Sequence, residues 1–460
     1  MTSYLITSTR KSSGKTTITI GLSRILNRMK YNLATFKKGP DYIDPLWISK
    51  ASKTSCYNLD FNTMSTAEIK KLFKLKTQNT ALNLIEGNKG LFDGVSLDGS
   101  DSNAAMAHLL KLEIILVIDC SGITRGIAPL INGYKDFDPK IKYKGIILNN
   151  IASDRHEGKI INAIAEYSDF KVFGSIQKNN KIEILEQHLG LQPSFLTSSN
   201  NNIINNIASL VKSSVDIKHL VKGVSNKKKL STKTPNVITK KYAGISIGVA
   251  RDNAFGFYYA DDIEKFKSLG ARIIYFNTLK DESLPNVDAL FIGGGFPELV
   301  AKELSSNKKM ISSIKNFINA NKPVYAECGG LMYLAKSIKI NDKSFRMVGI
   351  INGRVVMHDK PVGRGYVELI KSSSHPWLLS NDSIKAHEFH YSRLSLDAKL
   401  SNYTYKVKRG YGVNGKYDGI KYKNLLATYS HLRDTKKTTW ITNFLEFIKN
   451  NKKNETKNNI

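Results

Sequence analysis

Short apolar runs separated by stretches of helical periodicity organise the first half of the chain. "SYLITST" reads as a strand, followed by a loop and a helix over Thr16–Met29. "NLATFKK", "LNLIEG", "EIILVIDC" and "YKGIILNN" read as further strands. Their apolar residues run continuously rather than alternating, as in strands buried on both faces of a parallel sheet. The β–α alternation predicts a doubly wound α/β domain.

Between about Lys212 and Lys241 the pattern decays. "SNKKKLSTKTPNVITKK" is basic and polar, carries a proline, and reads as an exposed linker. A second α/β unit follows. "ISIGVAR", "ARIIYF", "VDALFIGGG" and "PVYAEC" read as strands, "DDIEKFKSLG" and "ISSIKNFINANK" as helices. From about Met347 the sequence turns strand-rich and aromatic. The expected organisation is a domain over 1–225, a linker over 226–241, a second domain over 242–447 and a flexible tail over 448–460.

Composition supports this division. A chain of 460 residues with 41% hydrophobic content is long enough for two cores. No run approaches a membrane span, and "MTSYLITSTRKSSGKTT" lacks the pattern of a signal peptide. Cys56, Cys120 and Cys328 are widely spaced and odd in number, so neither a disulfide framework nor a zinc spacing is present. A cytoplasmic, reduced setting is expected. The net charge of +30 raises nucleic acid and anionic membranes as partners. The lysines are scattered among Asn and Ile, and no nucleic-acid-binding motif accompanies them. The reading is a solvated basic surface, with no nucleic acid and no membrane as partner. A polyanionic small substrate would gain from the same field.

"TSTRKSSGKTT" sets Gly14, Lys15, Thr16 and Thr17 after a strand and at a helix start, the context of a phosphate-binding loop. Lys15 would reach the β- and γ-phosphates of ATP and the Thr16 hydroxyl would coordinate Mg²⁺. Thr9 stands where the full pattern has glycine, so the loop is a variant. Acidic residues cluster at later strand ends: Asp41 and Asp44 in "FKKGPDYIDP", Glu86 and Asp93 in "IEGNKGLFDG", and Asp119 in "VIDCSG". One such Asp is usually a helix cap. Several beside a phosphate loop point to Mg²⁺, with Glu86 as its carboxylate, and to substrate contacts by Asp41, Asp44 and Asp93.

In "KPVYAECGGLMYLAK" a strand runs into Cys328, two glycines and a helix, the layout of a nucleophile elbow. The helix N-terminus is expected to lower the thiol pKa. "FIGGGFPE" supplies a glycine-rich loop whose backbone amides suit an oxyanion hole, with Gly294, Gly295 and Gly329 as candidates. His431 in "YSHLR" is the candidate base. A buried inert thiol is the ordinary alternative for a lone cysteine, and it is the reading kept for Cys56 and Cys120. "HEFHYS" spaces His387 and His390 without a third ligand, which argues against metal there.

"SGKTT", "FKKGPDYIDP", "CYNLDF" and "EGNKGLFDG" resemble, in order and spacing, the N-terminal domain of the cobyrinic acid a,c-diamide synthase family, which is related to dethiobiotin synthetase. The resemblance continues through "GIILNNIASDRH" and "HLGL". The elbow, "FIGGGFPE" and "YSHLR" resemble a class I glutamine amidotransferase domain in the form fused to cobyrinate and cobyric acid synthases. "RDNAFGFYYADD", "GRGYVE" and "HEFHYS" also match. The resemblance implies that Lys37 and Asn149 join the nucleotide site, with Arg10 a weaker addition. It implies that Cys328 attacks the amide of glutamine while His431 acts as base and then acid. Ordinary members carry Glu two residues after the histidine. Here Arg433 stands there, so the third member is absent or supplied elsewhere.

Joined, the halves imply a ligase that activates a peripheral carboxylate of a tetrapyrrole with MgATP and amidates it with ammonia from glutamine through an enclosed path. Cobyrinic acid at its a and c acetates is the leading substrate. Hydrogenobyrinic acid, Ni-sirohydrochlorin and sirohaem-like rings stay open, as does a non-catalytic nucleotide-dependent binding module. A homodimer is among the assemblies open to it.

Overall fold

The computed structural model describes residues 2–178, 186–187, 190–191, 200–225, 239–372, 375–377, 383–398 and 403–458. The chain divides into two compact units, Met1–Thr232 and Lys233–Ile460. Residues 226–238 of the expected linker lie outside the described residues, and Lys240–Tyr242 at its end forms a 3-10 turn.

The first unit is built on seven strands: β1 (Thr2–Ser8), β2 (Leu33–Lys38), β3 (Cys56–Leu59), β4 (Leu82–Glu86), β5 (Glu113–Asp119), β6 (Lys142–Ile151) and β7 (Val172–Gln177). Their order is β3-β2-β4-β1-β5-β6-β7, every pairing parallel. Leu5, Ile6, Leu84, Ile85 and Ile114 to Ile118 are fully buried, which explains their continuous apolar runs. β1 lies between β4 and β5, and the chain winds outward from it in both directions. That switch point puts Ser8, Lys38, Glu86 and Asp119, the last residues of β1, β2, β4 and β5, on one rim. Helix α1 (Lys15–Arg28) packs against the helix Asn200–Ser214. The periodicity thus reaches slightly past Lys212, and a short helix, Ile217–Leu220, follows. Of the "HLGL" motif, Gly190–Leu191 pairs with Glu186–Gln187, and residues 188–189 lie outside the described residues.

In the second unit a nine-stranded sheet runs in the order Arg272–Phe276, Ser246–Ala250, Ala289–Ile292, Val324–Glu327, Leu425–Thr428, Tyr417–Tyr422, Tyr403–Arg409, Gly363–Lys371, Ser383–His390. The first five strands are parallel and the rest antiparallel. The helix Lys308–Asn319 shows how pattern becomes packing. Asn307 caps it by accepting from the Met310 amide at 3.2 Å. Met310, Ile314 and Ile318, four residues apart, line one buried face. Each contributes about 1.5–3 kcal/mol of burial.

The expected tail begins inside a helix. A single helix, Trp440–Asn458, runs through most of it. Trp440 and Phe444 anchor that helix, packing on Phe291 and Tyr325.

Candidate active sites

At the rim of the first sheet, β1 runs into the glycine–lysine loop, and Gly14 turns the chain into α1 with φ 90°. Asn149, the residue of β6 level with Asp119, donates from Nδ2 to the Ser13 carbonyl at 3.0 Å and so braces the loop. Lys15 Nζ donates to Ser8 Oγ at 2.9 Å. Burial and the neighbouring Lys37 push its ammonium down to about 8. Ser8 was not among the expected site residues. As a serine at the end of an apolar strand it carries no signal except its place before the loop.

The acidic cluster closes around Lys37. Its Nζ lies 2.5 Å from Asp44 Oδ2, 2.9 Å from Glu86 Oε1 and 3.7 Å from Asp41 Oδ2. Burial opposes the charge on Lys37, but the three carboxylates overcome it and hold the ammonium well above its usual range. Burial and the Asp44 charge raise Asp41 to about 7. Burial works against the Asp44 charge, and Lys37 still keeps its carboxyl below the usual range. Burial raises Glu86. Thr16 Oγ1 donates to Glu86 Oε1 at 2.6 Å, and the second oxygen of Glu86 is buried without a hydrogen-bond partner among the described residues. Thr16, Lys37, Asp41, Asp44 and Glu86 therefore form one network at the mouth of the phosphate loop.

Among the described residues no group of three or more His, Cys, Asp or Glu side chains is disposed to hold a metal by itself. The oxygens of Thr16 and Glu86 fit Mg²⁺ in its usual nucleotide-site role, where phosphates supply further ligands. Asp93 sits apart from Lys37, accepting from the Gly90 amide at 2.9 Å. Arg10 reaches over the loop to Asp119 at 2.5 Å. Thr17 occupies the first turn of α1.

In the second unit Cys328 stands between the strand Val324–Glu327 and the helix Gly329–Leu334, at φ 47° and ψ −102°. A non-glycine residue in that region is strained. The amide of Cys328 is held by the Thr428 carbonyl at 2.7 Å. Glycine is needed next. A Cβ on Gly329 would sit 3.0 Å from the Gly295 amide nitrogen, and one on Gly330 would strike the Ile292 carbonyl. The elbow therefore lies directly against the glycine loop. A Cβ on Gly294 would run into Cε1 of His431 and come within 3.3 Å of Nε2. Cys328, Gly329, Gly295, Gly294 and His431 thus form one contiguous surface, with the Nε2 edge of the imidazole turned to the loop.

The expectation of an acidified thiol is corrected. Burial, followed by the Glu298 charge, pushes the Cys328 thiol well above its ordinary range. The helix behind it has only six residues, too short for its dipole to offset desolvation. The Cys328 thiol instead lies 3.9 Å from the Phe389 carbonyl, as a weak donor to it. Cys56 and Cys120 are free and buried, with thiols also raised by burial.

Arg433, where a carboxylate is usual, is buried and turned away. It donates to Asp261 Oδ2 at 2.7 Å and lies over the Tyr259 ring at 4.5 Å. Tyr259 Oη is 3.2 Å from His387 Nδ1, and the His387 ring stacks on that of His431. His390, from the same strand as His387, stacks on Tyr429. Both histidines of "HEFHYS" are therefore packing partners of the thiol site. Glu327 lies 3.5 Å from His431 Nδ1 through Oε2. Nothing in the sequence marks Glu327, which neighbours Cys328 and lies far from His431 along the chain.

A variant phosphate loop with a buried lysine–carboxylate network, and an elbow cysteine with a histidine against a glycine loop, together define a fused glutamine amidotransferase and nucleotide-dependent synthetase. The CobQ/CobB/MinD/ParA nucleotide binding domain matches residues 4–191, and the CobB/CobQ-like glutamine amidotransferase domain matches residues 246–438. The cobyrinate a,c-diamide synthase of Picrophilus torridus is 39% identical over 431 residues, covering 94% of this chain and 95% of that one. That of Magnetococcus marinus is 37% identical over 436 residues, covering 93% of each. A solved glutamine amidotransferase covers 44% of this chain and 98% of its own at 15% identity and a TM-score of 0.33, too low to add to the assignment. The chain belongs to the cobyrinate a,c-diamide synthase family.

Proposed function

We propose that the protein amidates the a and c acetate carboxylates of cobyrinic acid, using ATP and glutamine. The observation that carries this reading is similarity along both units to enzymes of that name, with a reactive constellation in each.

In the second unit, Cys328 attacks the side-chain amide of glutamine as its proton passes to His431. The amides of Gly294, Gly295 and Gly329 receive the oxyanion, and His431 returns the proton to the leaving ammonia. Water then releases glutamate from the thioester. In the first unit, Gly14, Lys15, Thr16, Thr17 and Asn149 bind ATP, and Lys37 neutralises charge as the γ-phosphoryl passes to the carboxylate. Asp41 and Asp44 hold Lys37, and Asp41, Asp44 and Asp93 orient the substrate. Ammonia attacks the acyl phosphate, leaving an amide, ADP and phosphate. Thr16 and Glu86 would hold Mg²⁺, which when bound neutralises phosphate charge. Three free cysteines suit a reduced, cytoplasmic setting. Among the described residues no helix is long and apolar enough to cross a membrane.

The test is mass spectrometry of candidate tetrapyrroles incubated with MgATP and glutamine. Cobyrinic acid should gain two amides, and Cys328→Ser should lose this with glutamine but keep it with ammonia. Amidation of hydrogenobyrinic acid or a sirohaem-type ring in preference would replace the substrate. No glutamate released under any condition would sink the amidotransferase reading.

A further inference from the structure

We propose that Glu327, the residue immediately before the nucleophile, is the third member of the Cys328–His431 unit and positions the imidazole. The inference rests on the glutaminase reading of those two residues.

The carboxylate is set by its surroundings. Glu327 is 2% exposed at the end of the strand Val324–Glu327. Its Oε1 accepts from the Tyr325 hydroxyl at 2.6 Å and from the Leu432 amide at 2.9 Å. Two donors on one oxygen fix the plane of the group, with Oε2 3.5 Å from His431 Nδ1. The Leu432 amide belongs to the residue after His431, so the backbone that carries the base is tied to the same carboxylate.

The reach is a consequence of sheet register. Val324–Glu327 pairs in parallel with Leu425–Thr428, Glu327 level with Thr428. Three residues beyond Thr428 the chain comes to His431, so a residue far away in sequence and one strand over supplies the acid. Burial, with the Glu327 charge as the next contribution, keeps the Tyr325 phenol well above its ordinary range, so it remains a donor.

A carboxylate at Nδ1 selects the tautomer with its proton there. Nε2 is then left as the acceptor, on the edge turned toward Gly294. It also stabilises the imidazolium formed when Cys328 gives up its proton. That help is needed because the resting thiol is not acidified. Arg433 is accounted for at the same time. With Glu327 filling the acidic role, the position two after the histidine is occupied by a guanidinium bound to Asp261.

The experiment compares wild type, Glu327→Gln, Glu327→Asp and Cys328→Ser as full chains in a glutamate-release assay across pH, with melting temperature and ammonia-dependent amidation measured in parallel. Glu327→Gln should lower kcat by about 10²- to 10⁴-fold with KM within about threefold, since tautomer selection is lost. Glu327→Asp, shorter by one methylene, should lose at least about tenfold in kcat with KM again within about threefold. Glu327→Gln with kcat within threefold of wild type, or with the loss falling on KM rather than kcat, would overturn the proposal while Cys328→Ser stays inactive. If Glu327→Gln does not fold, Glu327→Asp decides, and full kcat in that variant overturns it. A Cys328→Ser chain as active as wild type would overturn the glutaminase reading itself.

Discussion

The imidazole of His431 stacks on that of His387, ring centroids 4.9 Å apart and planes 15° from parallel. The two residues also pair through their backbones, the His431 amide donating to the His387 carbonyl at 2.8 Å. Burial, then the charges of His431 and Arg433, hold His387 well below its ordinary range. It can therefore remain neutral beside His431 when that ring takes a proton.

A histidine kept neutral in the folded state binds its proton only on unfolding. Stability from this source is present above the unfolded value, about 6.5, and is lost as pH falls below it. His387→Phe keeps the stack and removes the titration. Its melting temperature should fall less than that of wild type between pH 7 and 5. The His387 ring resonance in wild type should stay constant from pH 8 to 5, and a titration there would contradict the assignment.

Gly294 lies where any side chain meets His431. Gly294→Ala should shift the imidazole and lower glutaminase kcat by about 100-fold, the scale of a misplacement near 1 Å. Ammonia-dependent amidation should be unchanged. Equal loss of both activities would mean that the loop supports the fold rather than the thiol chemistry.

The Cys328 thiol is expected to be protonated at rest. Alkylation by iodoacetamide, judged against Cys328→Ser, should be slow at pH 7 and still rising at pH 9. A rate already at its plateau at pH 7 would show a preformed thiolate.

Asp44 is the nearest carboxylate to Lys37. Asp44→Asn should leave glutaminase turnover within about twofold and lower kcat/KM for amidation by about 100-fold, since it removes the principal counter-charge of a buried ammonium. Steady-state assays of the two half-reactions distinguish this from a general loss of structure.

Lys15 offers a pH signature for nucleotide binding. With its pKa lowered to about 8 it is largely neutral at pH 8.5. Phosphate oxygens beside it favour the charged form, so ATP binding should take up protons, more at pH 8.5 than at pH 6.5. Calorimetry in buffers of different ionisation enthalpy measures this. Proton release that grows with pH would place Lys15 away from the phosphates.

The local pattern by itself determined a great deal. Period and apolar continuity located most of the parallel strands, because a strand buried on both faces has no polar positions to disguise it; Cys56–Leu59, Val172–Gln177 and Leu425–Thr428, short or interrupted by polar residues, did not stand out. The phosphate loop, the lysine–aspartate loop and the elbow were legible because each is a short backbone turn whose glycines and functional side chains are neighbours in the chain. Tertiary structure decided what depends on register and burial. Glu327 meets His431 only because two strands pair with Glu327 level with Thr428. The role of Arg433 depends on Asp261 and Tyr259, far away in sequence. The protonation of Cys328 reverses the motif's usual implication, since desolvation outweighs a six-residue helix. The last helix extends through a polar tail because Trp440 and Phe444 anchor its first turns in the core, which the composition of the tail alone does not reveal.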